Sequence, residues 1–130
     1  MSEENKTRVR QFFKEVVEKG NLAMFDEFVT PDFVDHQPAP GQLPGAAGVR
    51  QFFTSMRAAI SNLQVTIEHM IAEGDLVAAH VSIRGKHTGE LMGVPGSGKD
   101  VVMRVSDFVR IKNGKAVERW GVEDMSGFLG

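Results

Sequence analysis

Cysteine and tyrosine are absent from this chain, and tryptophan occurs once. Without cysteine there is no disulfide, no thiol nucleophile and no thiolate metal ligand, which suits a reducing, cytoplasmic location. Without tyrosine there is no phenol to donate to a developing oxyanion. No apolar run approaches the roughly 18 residues of a membrane span, and none is bounded like a signal peptide, so no membrane partner is expected. Neither sign of charge dominates: 15 Lys and Arg stand against 17 Asp and Glu, a net charge of −2, with the basic residues scattered. The basic footprint of a nucleic-acid binder is missing, and that partner class is set aside. What is present is ordinary for a globular protein, 42% apolar residues with 9 Phe and 7 Met. Residues 1–130 are enough for one domain around one core.

Val9, Phe12, Phe13, Val16 and Val17 recur at i, i+3, i+4, i+7 and i+8, the stripe of an amphipathic helix that Gly20 can close. Asn21 can cap a short second helix carrying Leu22, Phe25, Phe28 and Val29, which Thr30-Pro31 stops. Phe33-Val34 leads into a loop holding Pro38, Pro40 and Pro44, and a third helix follows with Val49, Phe52, Phe53, Met56 and Ile60 on one stripe. From Leu63 the period changes to two through Val65, Ile67, His69 and Ile71. Glu73-Gly74-Asp75 turns the chain, residues 76–86 return, and residues 93–99 form a second turn-rich connection. Helices first and strands after read as α+β. The expected shape is a cone-like α+β barrel: three N-terminal helices packed on a strongly curved, mainly antiparallel sheet that encloses a pocket. A two-residue turn after Glu73 puts His69 and His80 on one face; a longer one turns Val77, Ala79, Val81 and Ile83 inward and His80 outward. Both remain open.

The last quarter places acids where a strand should be apolar. Asn113-Gly114 between two alternating runs marks a hairpin whose turn needs positive φ at both positions. An unbroken ladder from that turn sets Ile111 opposite Ala116, Val109 opposite Glu118, Asp107 opposite Trp120, Val105 opposite Val122 and Met103 opposite Asp124. One face then mixes apolar residues with Asp107, Glu118 and Asp124, while Arg119 and Glu123 fall on the wetter face. Carboxylates on an apolar sheet face are paired, neutral, or line a pocket. Asp107 is either a structural acid paired with Arg84 or the Trp120 N–H, or a functional one. Asp124 either caps residues 125–127 or serves in the pocket. Trp120 is either core or a flat wall for a ring-shaped ligand.

Gly93-Val94-Pro95-Gly96-Ser97-Gly98-Lys99 has the glycine-and-lysine frame of a phosphate-binding loop, yet Asp100 stands where a Ser or Thr is needed. The segment also runs into an alternating, strand-like stretch rather than a helix, so a β-connection is the better reading. His36, His69, His80 and His87 are not spaced like a helical metal pair, and no metal is expected. His36, just before the proline-rich loop, is the histidine best placed to line a pocket.

Asp32-Phe33-Val34-Asp35-His36-Gln37-Pro38, Ala72-Glu73-Gly74-Asp75-Leu76-Val77-Ala78, Gly85-Lys86-His87-Thr88-Gly89-Glu90, Gly93-Val94-Pro95 with Gly98-Lys99, Asp107-Phe108-Val109-Arg110, Asn113-Gly114-Lys115 and Glu118-Arg119-Trp120 together resemble the SnoaL-like polyketide cyclase (ester cyclase) family. The ending, with Asp124 and Gly127-Phe128-Leu129-Gly130, fits as well. The resemblance implies the cone-shaped fold of the nuclear transport factor 2-like superfamily, often dimeric through the sheet. It also implies aldol-type ring closure without metal or cofactor, by an aspartate on the last strand helped by a polar partner on the preceding one. The partner position falls on Asp107. The family's catalytic aspartate often follows the Trp directly, where this chain has Gly121, and Asp124, three residues on, is the nearest substitute.

The expected function is therefore cofactor-independent acid/base chemistry, aldol-type cyclisation or isomerisation, on a hydrophobic carbonyl compound. Asp124 is the expected general acid/base and Asp107 its orienting partner. Trp120 would stack on the substrate, Phe33 would line the binding site, and His36 or His87 would polarise an oxygen. Two alternatives stand beside it: a non-catalytic small-molecule binder, and an epoxide-hydrolase-like enzyme, which needs two acids flanking an arginine, a place Arg84 could fill. The outer sheet face still carries Val102, Phe108 and Val117, so a homodimer is expected.

Overall fold

The computed structural model describes residues 2–39 and 41–129, so Pro40 of the proline-rich loop and Gly130 of the C-terminal motif lie outside the described residues. Helix α1 (Ser2–Gln11) runs on into a π-helical segment (Phe12–Glu18), and a short 3₁₀ helix (Leu22–Glu27) follows. Strand β1 (Val29–Asp35) precedes helix α2 (Gly45–Ala59). Four long strands come next: β2 (Ile60–Glu73), β3 (Leu76–His87), β4 (Asp100–Lys112) and β5 (Lys115–Asp124), then a last turn of helix, α3 (Ser126–Leu129). The sheet order is β1-β5-β4-β3-β2, with β1 parallel to β5 and the other pairs antiparallel.

This is the expected α+β arrangement of helices on one face of a mixed sheet. The barrel expectation needs correction, because the sheet is open, with β1 and β2 as its edges. A second correction concerns residues 29–35, read from sequence as a helix end leading into a loop. They form an edge strand, and Pro31 is tolerated there because an edge leaves one side of the backbone without a ladder.

The helix stripe packs as its period requires: Val9, Phe13 and Val17 join Met56, Ala59 and Ile60 of the α2–β2 junction over the inner sheet face. The π-helical end is closed by Arg57, which donates to the carbonyls of Val17 and Glu18 at 2.8 and 2.6 Å, so helix-end acceptors have a partner. The turn after Glu73 is the two-residue one, yet β3 faces as the longer turn would have it, because the β2 register slips between Ile67 and His69 and leaves His69 and Ile71 facing outward. The β2–β3 turn has two residues, with Gly74 at φ 60°, and His69 pairs with His80 on the outer face. Val77, Ala79, Val81 and Ile83 are nonetheless buried inward. Residues 93–99 connect β3 to β4 without a helix: Gly98 N–H donates to the His87 carbonyl and His87 N–H to that of Lys99. The phosphate-loop alternative therefore lacks the helix it needs.

Candidate functional site

The β4–β5 hairpin decides the site. Asn113 and Gly114 take the positive φ values of 53° and 78° that the turn demands, and Ile111 faces Ala116 as the sequence suggests. Immediately beyond, the ladder slips: Arg110, not Val109, pairs with Glu118, leaving Val117 as the extra residue of a β-bulge. Because side chains alternate with period two, one inserted residue turns the rest of β5 over. Asp107 now faces Gly121, Val109 faces Arg119 and Val105 faces Glu123. Arg119 and Glu123 point inward with Asp107, and Trp120, Val122 and Asp124 point outward.

A cavity of about 100 Å³ lies between the inner sheet face and the helices. One wall is aromatic, with Phe12, Phe13, Phe28, Phe33, Phe52 and Phe53; the other carries Asp35, Asp107, Arg119 and Glu123. Arg119 is the hub. Its Nε donates to Asp107 Oδ1 at 2.8 Å, its Nη1 to Asp35 Oδ1 at 2.9 Å and to the Gln37 carbonyl at 3.3 Å, and its Nη2 to Glu123 Oε1. Gln37 N–H donates to Asp35 Oδ1, and Gln42 Nε2 to Asp35 Oδ2, so the loop after β1 is tied to the same cluster. Among the described residues no hydrogen bond reaches Asp107 Oδ2.

Three carboxylates share one guanidinium, and the side chains of Asp107 and Arg119 are only 9% and 11% exposed. Burial is the larger influence on Asp107 and raises its pKa from 3.8 to about 6. Arg119 opposes that rise, and the charges of Glu123 and Asp35 add to it. Burial also works against the charge on Arg119, but Asp107, Glu123 and Asp35 outweigh it and push its pKa further up. The arrangement is a fixed cation beside an acid that can give or take a proton near neutrality. The centre of this acid cluster is filled by a guanidinium, and no group of three or more His, Asp or Glu that could hold a metal ion occurs among the described residues.

Gly121 explains how the pair fits. A Cβ there would lie 2.1 Å from Asp107 Oδ1 and 2.6 Å from Arg119 Nη2. The side chain missing at position 121 is the space in which the ion pair sits.

Of the residues expected from sequence, Asp107 and Phe33 line the cavity. Asp124 does not: it points outward, is exposed, and accepts from Ser126 N–H at 3.0 Å and Ser126 Oγ at 2.7 Å, bonds that hold its carboxyl below the usual range. Trp120 is also on the outer face, stacked on His36 with ring centroids 4.8 Å apart, 5° from parallel. His36 Nε2 lies 2.8 Å from Glu118 Oε2. His36 and Trp120 are thus brought together, but outside the cavity. His87 is buried at the end of β3 and does not line the cavity. Arg84 is exposed on β3, and the flanked arginine is Arg119 instead. Asp35, Arg119 and Glu123 were missed. The signal for them was an acid–basic–acid set at positions 35, 119 and 123, legible only to a reader who placed the bulge.

The SnoaL-like polyketide cyclase model matches residues 7–129. The chain belongs to the SnoaL-like polyketide cyclase family. Its fold superposes on IdmH of Streptomyces antibioticus, a proposed polyketide cyclase, with 27% identity and a TM-score of 0.82 over 96% of this chain and 95% of that one. AclR of Streptomyces galilaeus, a proposed hydroxylase, gives 26% identity and a TM-score of 0.85 over 99% and 84% of the two chains. A proposed polyketide cyclase of Bacillus cereus gives 25% and 0.82 over 96% and 77%. No curated protein matches the chain. The two kinds of activity proposed for these neighbours fit a SnoaL-like scaffold whose reaction is set by the cavity wall rather than by the fold. No helix among the described residues is long and apolar enough to cross a membrane.

Proposed function

We propose that this SnoaL-like protein is a cofactor-independent enzyme performing acid/base chemistry on a small hydrophobic carbonyl compound, with Asp107 moving the proton. The observation that carries this reading is a buried carboxyl whose pKa is raised to about 6 and whose Oδ2 has no partner among the described residues. In the anionic form, Oδ2 removes a proton from the carbon next to the carbonyl; the protonated acid then returns it, to a different carbon of the enolate system in isomerisation or to the new alkoxide in aldol closure. The negative charge that develops on the carbonyl oxygen is offset by Arg119, which keeps its charge and sits one hydrogen bond from Asp107. Apolar rings on the opposite wall hold the substrate and exclude water. Arg119 thus takes the polarising role first assigned to His36 or His87, and Asp107 takes the role first assigned to Asp124.

The test needs no knowledge of the natural substrate. Acetophenone incubated in deuterium oxide should exchange its methyl protons faster with the protein than without it, followed by proton NMR. Asp107→Asn should lower that exchange by about 10²–10⁴-fold while leaving ligand affinity in place. Exchange that is equal in both proteins sinks the assignment, and binding without exchange favours the non-catalytic binder.

The acids on either side of Arg119 support a second reading, an epoxide-opening enzyme in which one carboxylate activates water and a protonated one assists the leaving oxygen. Styrene oxide in ¹⁸O-water separates the two: a labelled diol formed by the wild type and lost in Asp107→Asn selects epoxide opening.

A further inference from the structure

We propose that the carbonyl compound this cavity takes also carries an amine, bound as its ammonium ion between Asp107 and Glu123 with its hydrocarbon part against the phenylalanine wall. The inference rests on the reading of this cavity as the ligand site and adds the charge of what enters it.

Charge balance comes first. At the polar wall Asp35, Asp107 and Glu123 face one cation, Arg119, so the wall is two negative charges in excess when all are ionised. The second arginine of the lining, Arg8, sits at the other end. Its donors go to the Gly114 and Glu27 carbonyls and to Gln11 Oε1, and its guanidinium lies 4.2 Å from the Phe28 ring centre. Gly114 lies beyond Ile111, itself roughly 13 Å along β4 from Asp107, too far to neutralise that wall.

Available donors and acceptors come second. Four N–H bonds of Arg119 go to Asp107, Asp35, the Gln37 carbonyl and Glu123. A guanidinium has five donors, so no parallel pair is left to clamp a ligand carboxylate. Acceptors remain instead: among the described residues, Asp107 Oδ2 and Glu123 Oε2 receive no hydrogen bond. The opposite wall is built of Phe rings, whose negative faces attract cations and cover hydrocarbon equally well. An anion meets like charge and no donor fork, a neutral ligand leaves the excess charge in place, and a cation removes it.

The arrival of a cation has a chemical consequence. By offsetting Glu123 and Asp35, it favours the ionised form of Asp107 that their charges oppose. The bound amine would itself turn Asp107 into a base.

Three probes with one skeleton test this: 1-phenylethylamine, acetophenone and 2-phenylpropanoate, titrated calorimetrically at pH 6 in two buffers of different ionisation enthalpy. The amine should bind at least about tenfold more tightly than the carboxylate and more tightly than the ketone. Its binding should release protons in wild type and not in Asp107→Asn. Glu123→Gln, at a partly exposed position, should weaken the amine several-fold and narrow its lead over the carboxylate, which covers the case of an Asp107→Asn that fails to fold. Carboxylate or ketone affinity equal to the amine's, binding without proton release, or no amine binding at millimolar concentration overturns the proposal. Deuterium exchange on acetophenone that depends on Asp107, with no preference for the amine, overturns this inference alone. Preference for the amine without any exchange overturns the enzymatic reading alone.

Discussion

Gly121→Ala is the smallest change that reaches the centre of the site. Glycine here is not a conformational requirement, since residue 121 does not use the left-handed region. By propensity alone, alanine in a strand should stabilise by about 0.5–1 kcal/mol. Space gives the opposite sign. The added Cβ would lie 2.1 Å from Asp107 Oδ1 and 2.6 Å from Arg119 Nη2, so these two side-chain ends must shift from the geometry that pairs them. Losing a charge-assisted hydrogen bond costs about 1.5–3 kcal/mol, and crowding a packed interior about 1–3 kcal/mol more. The net destabilisation should be about 2–5 kcal/mol, a fall in melting temperature of roughly 8–20 °C for a domain of this size. Urea denaturation of both proteins measures it, and deuterium exchange should fall in parallel because Asp107 loses its place. An alanine variant as stable as wild type, or more so, refutes the ion-pair geometry around Gly121.

Asp107 should also mark the pH dependence of stability. Its folded pKa is raised from 3.8 to about 6, so the native chain keeps a proton that the unfolded chain has lost. That contribution is full below about pH 4 and disappears as pH rises through about 6, roughly 3 kcal/mol in all. The stability of wild type minus that of Asp107→Asn should therefore fall across this window, and a flat or rising difference refutes it. Asp124→Asn should leave exchange and ligand affinity unchanged, because Asp124 points outward and serves Ser126; a large loss of rate would return it to the site. A homodimer through the outer sheet face is the expected assembly, since Phe108, Val122 and Ile71 there are 56%, 70% and 70% exposed. Phe108→Glu should shift sedimentation to monomer, and a wild type already monomeric at micromolar concentration removes the expectation.

Much of the fold is local and therefore legible in the chain. The stripe from Val9 to Val17, the alternation from Leu63 to Ile67 and the Asn113-Gly114 turn each state their structure through spacing or through a φ that few residues adopt. Asp107 was found the same way, as an acid out of place on an apolar strand. What the chain could not state was the extra residue at Val117. A bulge leaves no composition signal, because it depends on how β5 is held by β4 on one side and β1 on the other. Its effect is total beyond that point, since a shift of one residue exchanges the two faces of a strand. It took Asp124 and Trp120 out of the cavity and put Arg119 and Glu123 in. Asp35 is the second long-range element: it meets Arg119 only because residues 29–35 pair with β5, across more than half the chain. Local periodicity determined the helices, the strands and one acid of the site; the partners that tune that acid were decided by pairing between distant strands.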